Sequence, residues 1–422
     1  MKHVILGNGP AGVVAAEALR KLRPQDEITM VGDEPEPSYS RMAIPYLLVG
    51  NIDERGTYLR KSPDHFAALR ISEVRARATT IDTAAKQVQL DNGQTLAYDK
   101  LLIATGSVPV RLPVPGVDLP GVNSCWTLED ARQIAGRAKP GARVLQIGAG
   151  FIGCIIMEAL TRRKVKLTIV EMGDRMVPRM MTQVAGNMIR RWVEKKGVSV
   201  HTDARVESIR EGADGALIAR LAGGQDIPCD LIIAAAGVKP NVAFLAGSGV
   251  EIGRGVLVDE RCATNVPDVY AAGDVAEAID FSTGERLVNA IQPNAAEQGR
   301  VAATNMAGGS ATSQGTLALN VLDAMGMISS SFGQWWGAED GQSVEMVDEA
   351  AGRYLSLQFR GDVMIGATSI GLTNHVGVLR GLIQTRTHLG QWKDRLLKDP
   401  LRVMEAYLAC AQDASTIPVT AG

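Results

Sequence analysis

Only five cysteines occur in 422 residues, Cys125, Cys154, Cys229, Cys262 and Cys410, and no Cys-x-x-Cys spacing joins any two of them. That leaves no basis for a disulfide framework, a zinc site or an iron–sulfur cluster, and a reducing cytoplasm is the expected compartment. The five histidines fall in no metal-ligand spacing, so no metal site is expected. No apolar run reaches the roughly 18–20 residues that a membrane span needs. The net charge is −2, with no basic field for nucleic acid. The first strand candidate starts almost at residue 1, so no leader peptide is expected. Aromatic residues are only 4% of the chain. What remains, 46% hydrophobic and 21% charged residues, is ordinary globular composition, and the length suggests two or three domains.

Glycine, by contrast, is patterned. Gly7-Asn8-Gly9-Pro10-Ala11-Gly12 and Gly148-Ala149-Gly150-Phe151-Ile152-Gly153 are two fingerprints of one kind, 141 residues apart. Each follows a short apolar run, Val4-Ile5-Leu6 or Val144-Leu145-Gln146-Ile147, and each opens a helix-like stretch. In such a motif the first glycine turns the chain out of the strand. The second lets backbone approach a pyrophosphate, and the third lets helix and strand pack closely. The helix N-terminus then offers N–H groups and partial positive charge to phosphate. An acid after the next strand meets a ribose diol. After Ile28-Thr29-Met30-Val31 that acid is Asp33 or Glu34; after Lys166-Leu167-Thr168-Ile169-Val170 it is Glu171. Two such units imply two dinucleotides held at once, as hydride passage between nicotinamide and flavin requires. A carboxylate at the adenosine 2′-position repels the extra phosphate of NADP. Glu171 occupies that place, Met172-Gly173 supply no cation, and NADH is favoured over NADPH.

Along the chain, residues 1–35 read as strand, helix, strand, and residues 36–65 as a proline-punctuated segment. Residues 71–103 read as short strands, with Gln87-Val88-Gln89-Leu90 before the turn Asp91-Asn92-Gly93. Buried strands end on small residues at Ala104-Thr105-Gly106 and Ala234-Ala235-Ala236-Gly237. A helix is expected from Pro293 until Gly308-Gly309-Ser310 breaks it. A hairpin is expected at Tyr354–Phe359 and Val363–Gly366, and helix over the last 45 or so residues. The expected architecture is α/β. Two Rossmann-like dinucleotide-binding domains, one at 1–112 with 242–308 and one at 113–241, precede a smaller α+β interface domain at 309–422.

Taken in order, the first fingerprint, Ala104-Thr105-Gly106, the second fingerprint with Glu171, Gly237 with Pro240-Asn241, and Ala272-Gly273-Asp274 resemble the two-dinucleotide-binding-domain flavoproteins, or pyridine nucleotide-disulfide oxidoreductases. Tyr39-Ser40-Arg41 is similar to the ferredoxin-reductase and apoptosis-inducing-factor branch and to the flavin half of assimilatory nitrite reductases. Ile44-Pro45-Tyr46 is closer to coenzyme A disulfide reductases and NADH oxidases. The resemblance implies FAD in the first unit and NAD in the second. It puts Gly7, Gly9, Pro10, Ala11 and Gly12 against the FAD pyrophosphate, with Asp33 or Glu34 at the adenosine ribose. Arg41 would meet the pyrophosphate. Ala104, Thr105 and Gly106 would close over the flavin, with Gly273 and Asp274 at its ribityl or pyrophosphate region. The helix start at Ala295-Ala296-Glu297 would face the pyrimidine end, with Glu297 either a flavin contact or a helix-end acid. Gly148, Gly150, Phe151, Ile152, Gly153, Glu171 and Gly237 would hold the nicotinamide cofactor.

The departures from that resemblance narrow the chemistry. Residues 1–124 contain no cysteine, and Met42-Ala43 stand where a redox cysteine belongs. No His-Pro pair occurs near the C-terminus, so disulfide reduction is not expected. Ferredoxin-reductase-like members pair a glutamate with a lysine near the flavin, and here those positions read Ile155 and Tyr46. Either the nicotinamide pocket is an apolar variant or the acceptor side has changed; Tyr46 either stacks on a ring or packs in the core. In Trp335-Trp336, one ring is expected in the C-terminal domain and the other at a homodimer interface. The leading expectation is an FAD-dependent NADH oxidoreductase that passes electrons to a redox protein, an iron–sulfur protein or rubredoxin, or to a partner complex. An NADH oxidase and a non-catalytic FAD-binding subunit are the alternatives.

Overall fold

The computed structural model describes residues 1–413. Residues 414–422, the end of the expected helical tail and interface domain, lie outside the described residues. The chain divides into two compact units, one of Met1–Val110, Trp126–Arg132 and Gly237–Leu317, the other of Arg111–Cys125, Gln133–Ala236 and the chain from Ala318 onward.

The first unit begins as its sequence pattern predicts. Strand β1 (Lys2–Leu6) buries His-Val-Ile-Leu and turns through Gly7 into helix α1 (Pro10–Leu22). Pro10 sits in the first turn, where its missing N–H costs nothing. Ala11, Val13, Ala15, Ala16 and Leu19 form the buried stripe of α1. Strand β2 (Glu27–Gly32) returns parallel to β1. The proline-punctuated segment is more ordered than the sequence suggested. It forms α2 (Ile44–Val49) and the single turns α3 (Glu54–Thr57) and α4 (His65–Ala68), with Pro45 in the first turn of α2. Strands β3 (Ile71–Arg75) and β7 (Lys100–Ile103) flank β2 and β1, and β19 (Val269–Ala271) joins β7. The result is a parallel sheet of order β19-β7-β1-β2-β3. Strands β4 (Ala78–Asp82), β5 (Gln87–Leu90) and β6 (Thr95–Ala97) make a small antiparallel sheet. Strand β8 (Ser107–Pro109) pairs antiparallel with β17 (Val238–Pro240). Strands β18 (Val256–Leu257), β20 (Ala276–Ile279) and β21 (Arg286–Leu287) lead into α8 (Gln292–Met306). One face of the main sheet packs on α1 and α8, with Ile5, Leu19, Met30, Leu102 and Ala302 in its core. Each fully buried large aliphatic of this kind contributes about 1.5–3 kcal/mol.

The second unit repeats the plan. Strand β9 (Val122–Asn123) precedes β10 (Arg143–Ile147), α6 (Phe151–Arg162) and β11 (Lys166–Val170), and helix α5 (Leu128–Arg137) begins in the first unit and ends in the second. Helix α7 (Gln183–Lys195), β12 (Ser199–His201) and β16 (Leu231–Ala234) complete a parallel sheet of order β12-β11-β10-β16-β9. An antiparallel ribbon of β13 (Val206–Glu211), β14 (Leu217–Leu221) and β15 (Asp226–Cys229) lies beside it. The rest of the unit is a five-stranded antiparallel sheet of β22 (Leu319–Ala324), β23 (Met327–Gly333), β24 (Gln342–Asp348), β25 (Arg353–Arg360) and β26 (Val363–Ile370), ordered β22-β23-β26-β25-β24. The expected hairpin is β25 and β26, turning at Gly361. Helices α9 (Val376–Gln384), α10 (Gln391–Lys398) and α11 (Val403–Asp413) follow, as the tail pattern implied. Among the described residues no helix is long and apolar enough to cross a membrane.

Candidate functional site

The two fingerprints occupy equivalent positions. Leu6 pairs with Val31 across β1 and β2, and Ile147 with Val170 across β10 and β11. The amide of Gly7 donates to Val31 O (2.7 Å) and that of Gly148 to Val170 O (2.8 Å). Both glycines have positive φ, +116° and +104°. A Cβ on Gly7 would lie 2.1 Å from Ala104 O, and one on Gly148 would lie 2.4 Å from Ala235 O. The third glycines are as constrained, since a Cβ on Gly12 would reach Gly7 O at 1.9 Å and one on Gly153 would reach Gly148 O at 2.5 Å. The middle glycines differ. Gly9 and Gly150 have φ of −75° and −71°, which any residue adopts, and nothing lies within 4 Å of a Cβ at either. The chain itself gives no steric reason for glycine there. Each of these glycines is the N-cap of its helix, α1 or α6, and the start of a helix is where a pyrophosphate would approach. Both cradles therefore fit a dinucleotide.

Register exposes a difference between the copies. Glu171 directly follows Val170, and its counterpart after Val31 is Gly32, not Asp33 or Glu34. The Glu171 carboxylate accepts from Ala149 N (2.6 Å) and Gly173 N (2.8 Å). In the first copy the reach is reversed, because Asn8 lays its carboxamide on Gly32, 2.5 Å from where a Cβ would stand. Asp33 lies outward, paired with Arg77 at 2.9 Å. Glu34 turns in and accepts from Arg41 Nη2 and from the Tyr39 hydroxyl, each at 2.5 Å. Burial holds the Tyr39 phenol protonated, with its pKa above the ordinary value, so it remains a donor.

The other first-unit residues gather at the same sheet end. Arg41 Nη1 donates to Tyr39 Oη (2.8 Å) and to the Trp126 carbonyl (2.7 Å). Thr105 Oγ1 donates to Asn241 O (2.9 Å), and Asn241 N donates to Gly106 O (2.9 Å). Asp274 receives the Ser107 hydroxyl at 3.2 Å. Burial raises the pKa of Asp274, while that hydroxyl and the Arg41 charge pull the other way. Gly273 packs between Ala11 and Ala295, and its amide donates to the buried Gln298 Oε1 (2.8 Å). The start of α8 is thereby locked to the end of β19, with Ala296 half-buried beside it. Glu297 is exposed and accepts from Ser313 Oγ (3.1 Å). Tyr46 does not pack in the core, for its side chain on α2 is 58% exposed. Sequence reasoning omitted Asn8, Tyr39, Ser107, Trp126, Asn241 and Gln298 as site residues. Tyr39 and Asn241 stood in the family markers and Asn8 inside the first fingerprint, and Trp126 stands just before the helix-start pattern Thr127-Leu128-Glu129-Asp130.

In the second unit, Phe151, Ile152 and Ile155 are half-buried on the first turns of α6. Arg175 turns away from Glu171, donating to Met181 O (3.0 Å) and Pro178 O (3.3 Å) and pairing with Asp174 (2.7 Å). Gln146 lies fully buried beneath the fingerprint and donates to Gly148 O at 2.9 Å. Trp335 is buried and Trp336 is 54% exposed, their rings edge-on at 5.6 Å. Among the described residues no cysteine is in a disulfide. Burial pushes the thiols of Cys154, Cys229 and Cys262 up to about 12, far from thiolate reactivity.

Residues 1–299 match the family described as pyridine nucleotide-disulphide oxidoreductase. The NADH-dependent phenylglyoxylate dehydrogenase subunit epsilon of Aromatoleum evansii is 33% identical over 406 residues, 95% of this chain and 96% of that one. The NADH oxidase of Methanocaldococcus jannaschii is 31% identical over 319 residues, 73% of this chain and 70% of that one. Among solved structures, an NAD-dependent persulfide reductase from A. fulgidus superposes with a TM-score of 0.86 at 28% identity, over 93% of this chain and 78% of that one. Two glycine cradles of matching geometry and a family match over residues 1–299 lead to one conclusion: the chain belongs to the pyridine nucleotide-disulphide oxidoreductases and is an FAD-dependent NADH oxidoreductase.

Proposed function

We propose that the protein carries electrons between NADH, held by the second unit, and a redox protein or partner complex, by way of FAD held by the first. The observation that carries this reading is the pair of bare middle glycines, Gly9 and Gly150, each opening a helix beside a parallel sheet. FAD, when bound, supplies a carrier that takes a hydride and releases electrons singly or in pairs. The residues of the chain bind and orient. Gly9 and the amides opening α1 receive the pyrophosphate with Arg41, and Glu34 fits the adenosine side better than the outward Asp33. Thr105, Gly106, Gly273 and Asp274 line the flavin side, and the N-terminus of α8 at Gln292, one turn before Ala296, lends partial positive charge. Gly150, Phe151, Ile152 and Gly153 seat the NADH pyrophosphate and Glu171 receives its ribose hydroxyls, while Gly237 is assigned to the cofactor by the family resemblance. Tyr46 is assigned to the flavin side of the first unit and Ile155 to the nicotinamide side of the second, and neither supplies an acid or a base. Residues 1–112 with 242–308, 113–241 and 309–422 would serve as the FAD, NAD and interface domains.

A protein acceptor is favoured by the Aromatoleum evansii relative, which is named as a subunit and matches end to end. Anaerobic mixing with NADH tests the reading: the flavin should bleach on a catalytic timescale, and failure to bleach removes NADH as donor and favours a non-catalytic subunit. The Methanocaldococcus jannaschii relative supports a second reading, NADH oxidase. With no cysteine in residues 1–124 to stabilise a hydroperoxide, such an enzyme would form peroxide, and rapid oxygen consumption without any partner would favour it. The inert thiols also fit a cytoplasmic setting, and the exposed Trp336 fits a homodimer interface.

Asp274 gives a pH test. Its folded pKa lies above the ordinary value of about 3.9, so the ionised carboxylate costs stability once pH exceeds the folded pKa. Below the unfolded pKa both states are protonated and the cost vanishes. Asp274→Asn should raise the Tm of the flavin-free protein at pH 7, with the gain disappearing as pH falls to about 4. The same variant should weaken FAD binding about tenfold, through the lost charged hydrogen bond. Equal Tm gains at pH 4 and pH 7 would refute this account.

A further inference from the structure

Trp126 is tied down at every polar atom. Its amide and that of Thr127 donate to Asp130 Oδ2 (2.9 and 3.0 Å), and Asp130 N donates back to Thr127 Oγ1 (3.1 Å). This is a capping box at the start of α5, formed because Thr and Asp stand three residues apart. The indole N–H donates to Ser107 O (3.2 Å), and the carbonyl receives Arg41 Nη1 (2.7 Å). The Arg41 Cζ then lies 5.1 Å from the Trp126 ring centroid and 5.4 Å from that of Tyr39. Both distances are within cation–π range.

The guanidinium is thus fixed by two aromatic rings, two oxygens on Nη1 and one carboxylate on Nη2. Among the described residues its Nε–H and one Nη2–H carry no partner. Those groups are donors suited to phosphate oxygens. The same contacts form a continuous belt within the first unit. It runs from Glu34 through Arg41, Trp126 and Ser107 to Asp274, and joins segments 240 residues apart in sequence.

We propose that Trp126 is a positioning residue for FAD, acting through Arg41. Its ring holds the guanidinium plane so that the two spare donors face the pyrophosphate seat. The inference rests on the assignment of FAD to the first unit and adds a residue beyond the glycine fingerprint. Substitution removes the ring and the indole bond but leaves the backbone carbonyl and its bond to Arg41.

FAD titrated into flavin-stripped protein provides the test. Trp126→Leu should weaken the Kd about tenfold, and Trp126→Phe, which keeps a ring, should stay within about threefold of wild type. In an Arg41→Gln background, Trp126→Leu should add nothing, within about twofold, because the group it positions is gone. A tenfold loss that persists in that background makes Trp126 merely structural and overturns the proposal, as does a wild-type Kd for Trp126→Leu. Arg41→Lys tests the same point without touching the tryptophan. A hydrated point charge is not held by rings as a plane is, so its Kd should approach that of Arg41→Gln, and a wild-type value would refute the ring clamp. If the wild-type protein takes up no FAD, it is the functional reading that fails, and that result is seen before any variant is made.

Discussion

A Gly150→Val protein should purify with its flavin, and NADH should no longer bleach it. Position 150 has φ of −71° and ψ of −174°, extended backbone that valine adopts readily, and no atom lies within 4 Å of a Cβ there. The fold loses only the difference between glycine and valine as helix caps, about 1 kcal/mol. The added carbons fill the space where a pyrophosphate would meet the amides of α6. Displacing a bound cofactor by about an ångström already costs on the order of 100-fold in rate. The rate of flavin reduction at fixed NADH should therefore fall by more than about 100-fold, while a chemical reductant still bleaches the protein. Gly9→Val should give the mirror result, an intact chain without flavin. Gly148→Ala should damage both properties, since its φ is +104° and its Cβ would lie 2.4 Å from Ala235 O. Normal reduction of Gly150→Val by NADH would remove the second fingerprint as the nicotinamide site.

The contrast explains why so much of the fold was legible in the sequence. Gly7, Gly12, Gly148 and Gly153 are glycines because the chain's own backbone lies within 3 Å of their missing side chains, and that requirement recurs wherever a strand turns into a helix at this angle. Apolar runs of strand length beside them gave both parallel sheets, and the turn at Gly361 gave the hairpin. The rest of the site depends on which strands become neighbours. Trp126 meets Arg41 across 85 residues, and Asn241 meets Thr105 across 136. No local pattern encodes either contact. The exchange of Ala149 and Glu171 for Asn8 and Gly32 is visible only in register, where one side chain reaches across the crevice from opposite banks. Reading Asp33 or Glu34 as the counterpart of Glu171 took the first acids after each strand, while register puts Gly32 at the position equivalent to Glu171. Tyr46 was ambiguous because a short helix after a proline leaves its facing undetermined until the helix docks. It docks through Ile44 and Leu48, which leaves Tyr46 outside.

Register also makes Glu171 the point where cofactor choice can be reversed. Its carboxylate is held by two backbone amides at 2.6 and 2.8 Å, so a negative charge stands fixed at the end of β11. A ribose diol can donate to that charge, whereas a 2′-phosphate is repelled by it. Neither residue considered for the role offsets the repulsion, since Met172 is apolar and 72% exposed, and Arg175 is committed to Asp174, Pro178 and Met181. Glu171→Ala alone should lower kcat/KM for NADH by roughly 10- to 100-fold, the worth of a charged hydrogen bond of about 1.5–3 kcal/mol. Adding Met172→Arg puts a guanidinium on the exposed neighbour, where it can form the paired bonds that phosphate favours. The double variant should then prefer NADPH, with the ratio of the two kcat/KM values moving by on the order of 1,000-fold. Steady-state reduction of an artificial acceptor measures both values on the same protein. Because the first unit is untouched, flavin content should stay at the wild-type level, which separates a change in recognition from a loss of fold. An unchanged ratio would mean that the adenosine ribose does not meet Glu171, and the second cradle would need a different ligand.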